Sequence, residues 1–251
     1  MKKKAVAVVM TAVMALGMVS AVSVQAGIED KTLIVGFDAE YPPYGYMDEN
    51  GEYTGFDLEL AQAVCDLEGW ELEKKPINWD SKDMELNSGS IDCIWNGFTM
   101  NGREDDYTFS EPYVDNSQVI VVADDSGIEK LTDLAGKTVG VQAASAALDL
   151  LQSEEEGGQK ELADTFGALN EFADYNTAFT ELQAGALDAL AIDVGVAKYQ
   201  LNSRGEGFKI LDETLNTEQY AIGFKKGNTE LCDIVNADLQ KLADDGTVAS
   251  F

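Results

Sequence analysis

Residues 86–94 read LNSGSIDCI, and 96 positions further on residues 182–190 read LQAGALDAL. Both follow the pattern Leu-x-x-Gly-x-Ile/Leu-Asp-x-Ile/Leu. Each reads as a helix end, a glycine cap and a buried strand. A looser echo links KTLIVGFDAE (31–40) to KTVGVQAASA (137–146). A unit that returns in this way predicts two βα-rich lobes of similar construction.

Working outward, strands alternate with helices along the chain. Strands are expected at 32–36, 71–77, 91–95, 118–122, 137–141, 171–173, 187–192, 208–211 and 220–224. Helices are expected at 55–68, 81–87, 146–153, 177–184, 194–201 and 229–243. The segment 37–55 reads as a long aromatic-rich loop stiffened by Pro42-Pro43. Such alternation predicts an α/β fold with mainly parallel sheets. In open α/β sheets, ligands sit beyond the carboxyl ends of strands. That rule selects 38–41 and 96–103 in the first lobe, and 142–145 and Asp193 in the second.

Arg103 stands out in the first of these lobes. It is one of two arginines in a chain with 17 basic and 46 acidic residues, and it follows a strand end and a glycine turn. A guanidinium is always charged and forks onto carboxylates. Arg103 therefore reads either as the holder of an anionic ligand group or as a surface cation paired with Glu104 or Asp105. Asp193 ends the equivalent strand of the second lobe. Facing each other, the two could clamp a zwitterion. Asp193 and Ser145 could equally be helix caps, and Trp95, inside a strand, could be a core residue.

The first 26 residues hold three lysines (Lys2, Lys3, Lys4), an apolar run and a Val24-Gln25-Ala26 ending. They read as a signal peptide cleaved after Ala26, with retention as an anchor the alternative. No cysteine lies near that point, so no lipid attachment is expected. Without these residues, 14 basic and 46 acidic residues leave a formal charge of −32. That charge opposes binding to nucleic acid or to an anionic membrane. There is no histidine, which removes Ser-His-Asp and Cys-His chemistry and the commonest metal ligand. Three widely spaced cysteines among apolar neighbours read as buried thiols rather than a disulfide framework. No metal and no cofactor are expected.

The order of motifs resembles the periplasmic amino-acid-binding proteins of polar amino-acid ABC importers. TLIVGFDAEYPPYGY and GEYTGFDLELAQAV are followed by GFT, Arg103 and FSEPY. LTDLAGKTVGVQ, ALDALAID, AIGFKKGN and LQKLADDGT come next. The resemblance runs from about Thr32 to Gly246. It implies a type II periplasmic-binding-protein (Venus-flytrap) fold with two hinge strands, one lobe formed by 27–120 and 217–251 and the other by 121–216. It implies that Arg103 takes a ligand α-carboxylate beside Thr99 and the backbone at Asn96 and Gly97. Ser145 helps from the other lobe, and Asp193 takes the α-ammonium. Tyr41 and Trp79 pack on the ligand side chain, and Asp38 faces a polar or cationic one.

Function then follows as an expectation: an exported, non-enzymatic monomer that captures a free L-amino acid and docks on a membrane permease. A dehydratase on the same fold and a sensory module are the alternatives. Two departures from the family pattern are visible. The link Thr99–Arg103 is one residue short, which could displace the guanidinium. The chain also ends at 247–251, where further helix turns are usual, which leaves open whether the sequence is truncated.

Overall fold

The computed structural model describes residues 31–248; the expected signal peptide lies outside them. A parallel three-strand half opens the first sheet. β1 (Thr32–Phe37) lies between β5 (Glu71–Pro76) and β6 (Cys93–Ile94). Between β1 and β5 come three short strands, β2 (Glu40–Tyr41), β3 (Gly45–Met47) and β4 (Tyr53–Thr54), which form an antiparallel meander of their own. The segment expected as a loop is therefore an ordered flap. α1 (Phe56–Glu68) follows, with Asp57 and Glu59 in its first turn, where carboxylates suit the positive end of the helix dipole. Gly69, left-handed at φ 67°, terminates it. α2 (Lys82–Ser88) leads into β6.

The sheet is completed in antiparallel fashion by β7 (Tyr107–Phe109) and by β14 (Gly223–Lys225) from the far end of the chain, in the order β5-β1-β6-β14-β7. The long β8 (Val114–Ala123) opens the second sheet. β9 (Thr138–Gln142), α3 (Ala146–Gln152), α4 (Lys160–Ala163), β10 (Ala168–Phe172), α5 (Tyr175–Gln183), β11 (Ala189–Asp193), α6 (Val194–Arg204), β12 (Phe208–Ile210) and β13 (Asn216–Tyr220) follow. β10-β9-β11 is the parallel half, while β11-β8-β12 and the added β13-β8 pair are antiparallel. α7 (Thr229–Asp244) returns to the first lobe, burying Leu231, Val235 and Leu242 with Val64 and Leu33.

Each sheet thus has the same plan, as the internal repeat requires, and the fold is a two-lobe flytrap. Parallel and antiparallel halves meet where the chain crosses between lobes. β8 and β13 are the two crossing strands, paired from Val114↔Tyr220 to Gln118↔Asn216. The expected strand at 220–224 is in fact two, because the chain leaves β13 at Tyr220 and joins the other sheet at Gly223. Trp95 is fully buried in the first core. Among the described residues no helix is long and apolar enough to cross a membrane.

Candidate functional site

The lobes are closed on each other. Tyr41, Trp79, Gly97, Thr99, Arg103, Gln142, Ser145, Ala146 and Asp193 surround a residual cavity of about 10 Å³. Seven of the nine residues expected from the sequence are in that set. Asp38 lines an adjoining cavity of about 500 Å³, joined to the first by their shared wall residue Trp79. Asn96 is buried but lines neither.

Asp193 ends β11 and is nearly inaccessible. Its side chain makes no capping bond to α6, so the cap reading fails here. Its Oδ1 instead accepts from Asn116 Nδ2 (2.8 Å), Gln118 Nε2 (2.7 Å) and the Tyr220 hydroxyl (2.6 Å). The same two amide groups also donate to Glu218 Oε1, at 2.8 and 2.7 Å, and Thr99 Oγ1 donates to that atom at 2.8 Å. Register explains the cluster: Asn116 faces Glu218, and Gln118 faces Asp193, all on one side of the crossing strands. The amide oxygens of Asn116 and Gln118 are buried without a partner, so both amides are oriented to give their N–H groups to the carboxylates. Burial, and next the Glu218 carboxylate, push the Asp193 carboxyl up to about 6. Among the described residues no lysine or arginine pairs with Asp193 or Glu218. Two buried acids share neutral donors only, and a cation is what the arrangement lacks.

Arg103 sits across the cavity. Its guanidinium lies 5.1 Å from the Phe98 ring centroid, and Nη1 donates to the Thr99 carbonyl at 3.3 Å. The alternative pairing with Glu104 or Asp105 does not form; its salt bridge crosses the cleft to Asp149. Ser145 does cap α3, accepting from the Leu148 N–H at 3.2 Å. The Gly97 N–H is already taken by Asp57 Oδ2 at 2.5 Å. Gly97 has φ +55°, and a Cβ there would meet the Tyr41 and Tyr220 rings at 2.9 Å. Asp57 is a fully buried brace whose carboxyl is pushed up to about 7 by burial.

Asp38, also nearly inaccessible, accepts from Gln142 Nε2 of the other lobe at 2.7 Å. Burial raises its carboxyl to about 6. Trp79 is flanked by the Phe98 edge and by Lys82 Nζ, 5.0 Å from its ring centroid. Lys82 donates to the carbonyls of Trp79 and Ala144 and lines neither cavity.

A family model described as bacterial extracellular solute-binding proteins, family 3, matches residues 33–251. The chain belongs to this family. Its relatives include an L-cystine-binding protein of Escherichia coli (strain K12), 29% identical over 95% of this chain and 91% of that one. An arginine-binding extracellular protein of Bacillus subtilis (strain 168) is 34% identical over 86% of this chain and 82% of that protein. A crystal structure of an ABC uptake transporter substrate-binding protein from Streptococcus pneumoniae with bound histidine superposes with a TM-score of 0.81. It is 34% identical, with 86% of this chain and 88% of that chain covered. This chain is accordingly an extracytoplasmic solute-binding protein of the polar amino-acid importer type.

Glu218, Asn116, Gln118 and Tyr220 of the binding protein escaped the sequence reading. A signal was present. Asn116 and Gln118, and Glu218 and Tyr220, stand two positions apart on their strands, the spacing that puts residues on one face, but the intervening Asp115, Ser117, Thr217 and Gln219 are polar as well and blunt the signal. Gln142, at the end of β9, fell within the selected segment 142–145.

Proposed function

We propose that the binding protein captures an L-amino acid with a cationic side chain, arginine or lysine in type. The observation that carries this is the composition of the 500 Å³ cavity beside Trp79. Its wall holds Asp38, Glu40, Asp80, Glu85 and Asp174 and no basic side chain. A zwitterion anchored between Arg103 and Asp193 would extend its side chain past Trp79 into that acidic space. Glutamate would place a carboxylate among carboxylates there. Cystine would bring a second α-ammonium and a second α-carboxylate together, and so no net positive charge, to the same wall.

On this reading Asp193 takes the α-ammonium, backed by Glu218, and Arg103 takes the α-carboxylate. Tyr41, Thr99, Ser145 and Gly97 enclose the backbone, Trp79 packs on the side chain, and Asp38 meets its charge. Asn96 contributes through the fold of its loop. The lobes divide at the crossing strands, 27–120 with 217–251 and 121–216. Ligand holds them shut because it contacts both only when they meet. The closed monomer then docks on an importer permease, and no chemistry is done on the ligand.

A thermal-shift screen of the twenty amino acids and cystine tests this. Ligand at a hundredfold excess over Kd adds about 2.7 kcal/mol, or about 5–10 °C for a protein of this size. Arginine or lysine should give the largest rise, and Asp38→Asn should reduce it selectively. A largest rise with glutamate or an aliphatic amino acid would overturn the assignment. Recovery of arginine chemically unchanged after long incubation is expected; a new product would favour the dehydratase alternative.

A further inference from the structure

The link before Arg103 is a tight turn. The Arg103 N–H donates to the Met100 carbonyl at 3.0 Å, and Gly102 sits at φ +79°. From that turn the guanidinium gains only one ring face and one carbonyl within its own lobe. The third fixed point comes from the opposite lobe. Asp149, in the first turn of α3, accepts from Arg103 Nη2 at 2.7 Å.

The positions of the two side chains differ in a telling way. Arg103 lines both the central cavity and an outer groove of about 490 Å³, whereas Asp149 lines the outer groove alone. Asp149 therefore does not stand where a ligand carboxylate would stand. It holds the outer edge of the guanidinium, and other N–H groups of the five-donor fork are left for the cavity. Its side chain is 62% exposed while that of Arg103 is 13% exposed, so the acid reaches in from the rim.

We propose that Asp149 is a positioning residue for ligand capture: it aims the Arg103 guanidinium at the ligand carboxylate, and does so only when the lobes close. It rests on Arg103 as the carboxylate anchor. Carboxylate recognition and closure become one event, because the anchor is fully oriented only by a residue of the other lobe.

The test is calorimetric titration of the full chain and of Asp149→Asn with L-arginine and with L-argininamide, which lacks the carboxylate. An exposed pair of this kind predicts a loss of roughly two- to fivefold for L-arginine. L-argininamide should be unaffected, and Asp149→Glu should recover most of the loss. Tighter arginine binding by Asp149→Asn would mean competition, and equal losses for both compounds would mean a general latch; either overturns the proposal. A measurement with a saturating amount of whichever amino acid the thermal-shift screen selects separates its failure from that of the ligand reading. With two arginines in the chain, the guanidinium nitrogens of Arg103 are resolvable by 15N NMR against Arg204. Separate Nη signals for Arg103 should merge in Asp149→Asn while those of Arg204 stay fixed. Identical Arg103 signals in both ligand-saturated proteins would refute the pair, whichever amino acid is bound.

Discussion

Replacing Asp193 by Asn removes a buried charge but keeps an acceptor oxygen for Asn116, Gln118 and Tyr220. Burial and Glu218 raise this carboxyl from 3.8 to about 6. A carboxyl with a raised folded pKa holds its proton more tightly in the folded state. Its charged form therefore costs stability, and the cost grows as pH rises from about 4 to about 6. Two pKa units at about 1.4 kcal/mol each give about 3 kcal/mol at neutral pH. Asn does not titrate. The empty variant should thus exceed the parent by up to about 3 kcal/mol at pH 7.5, or about 6–12 °C in Tm, with the gap closing towards pH 4. Scanning calorimetry across that range reads the effect. The same variant should lose at least about thirtyfold in ligand affinity, since the α-ammonium loses its charged partner. A variant less stable than the parent at pH 7.5 would refute the reasoning, as would a gap that does not change with pH. Asp193 and Glu218 share buried charge that neutral donors alone hold.

Two further outcomes follow from the same cleft. Arg103→Ala should keep its circular dichroism spectrum but bind roughly 10- to 100-fold more weakly, from the loss of a charged hydrogen-bond donor; unchanged calorimetric affinity would remove Arg103 from the site. Gly97→Ala forces a left-handed residue and a Cβ against the Tyr41 and Tyr220 rings, so the urea midpoint should fall by the equivalent of about 1–3 kcal/mol. An unaltered midpoint would show that the loop can relax at no cost.

Much of the fold was legible because it is periodic. The repeated Leu-x-x-Gly-x-Ile/Leu-Asp unit marks a helix end and a strand in each lobe, and α7 shows its apolar stripe directly. What was missed depends on pairing at a distance. The meander of β2, β3 and β4 looked like a loop because strands of two or three residues are too short to show alternation. The split of 220–224 into β13 and β14 follows from two different partners, β8 and β7, and no local property reports that. Asp57 stands in the first turn of α1, and its bonds to Gly97 and Tyr113 come from segments distant in sequence, which no local pattern reports.

By itself the sequence determined the two-lobe plan, the closing places at strand ends, and the opposition of one arginine to one aspartate. Those properties are carried by local pattern and by charge scarcity, which the chain order preserves. Tertiary structure alone decided which neighbours each of these groups has. Glu218 and Asn116 meet because β13 and β8 pair in that register, 102 residues apart. Arg103 meets Asp149 because the lobes are shut. Electrostatic partners are chosen by distance in space, so a charge read from the sequence has a sign, and only the fold supplies its counter-charge.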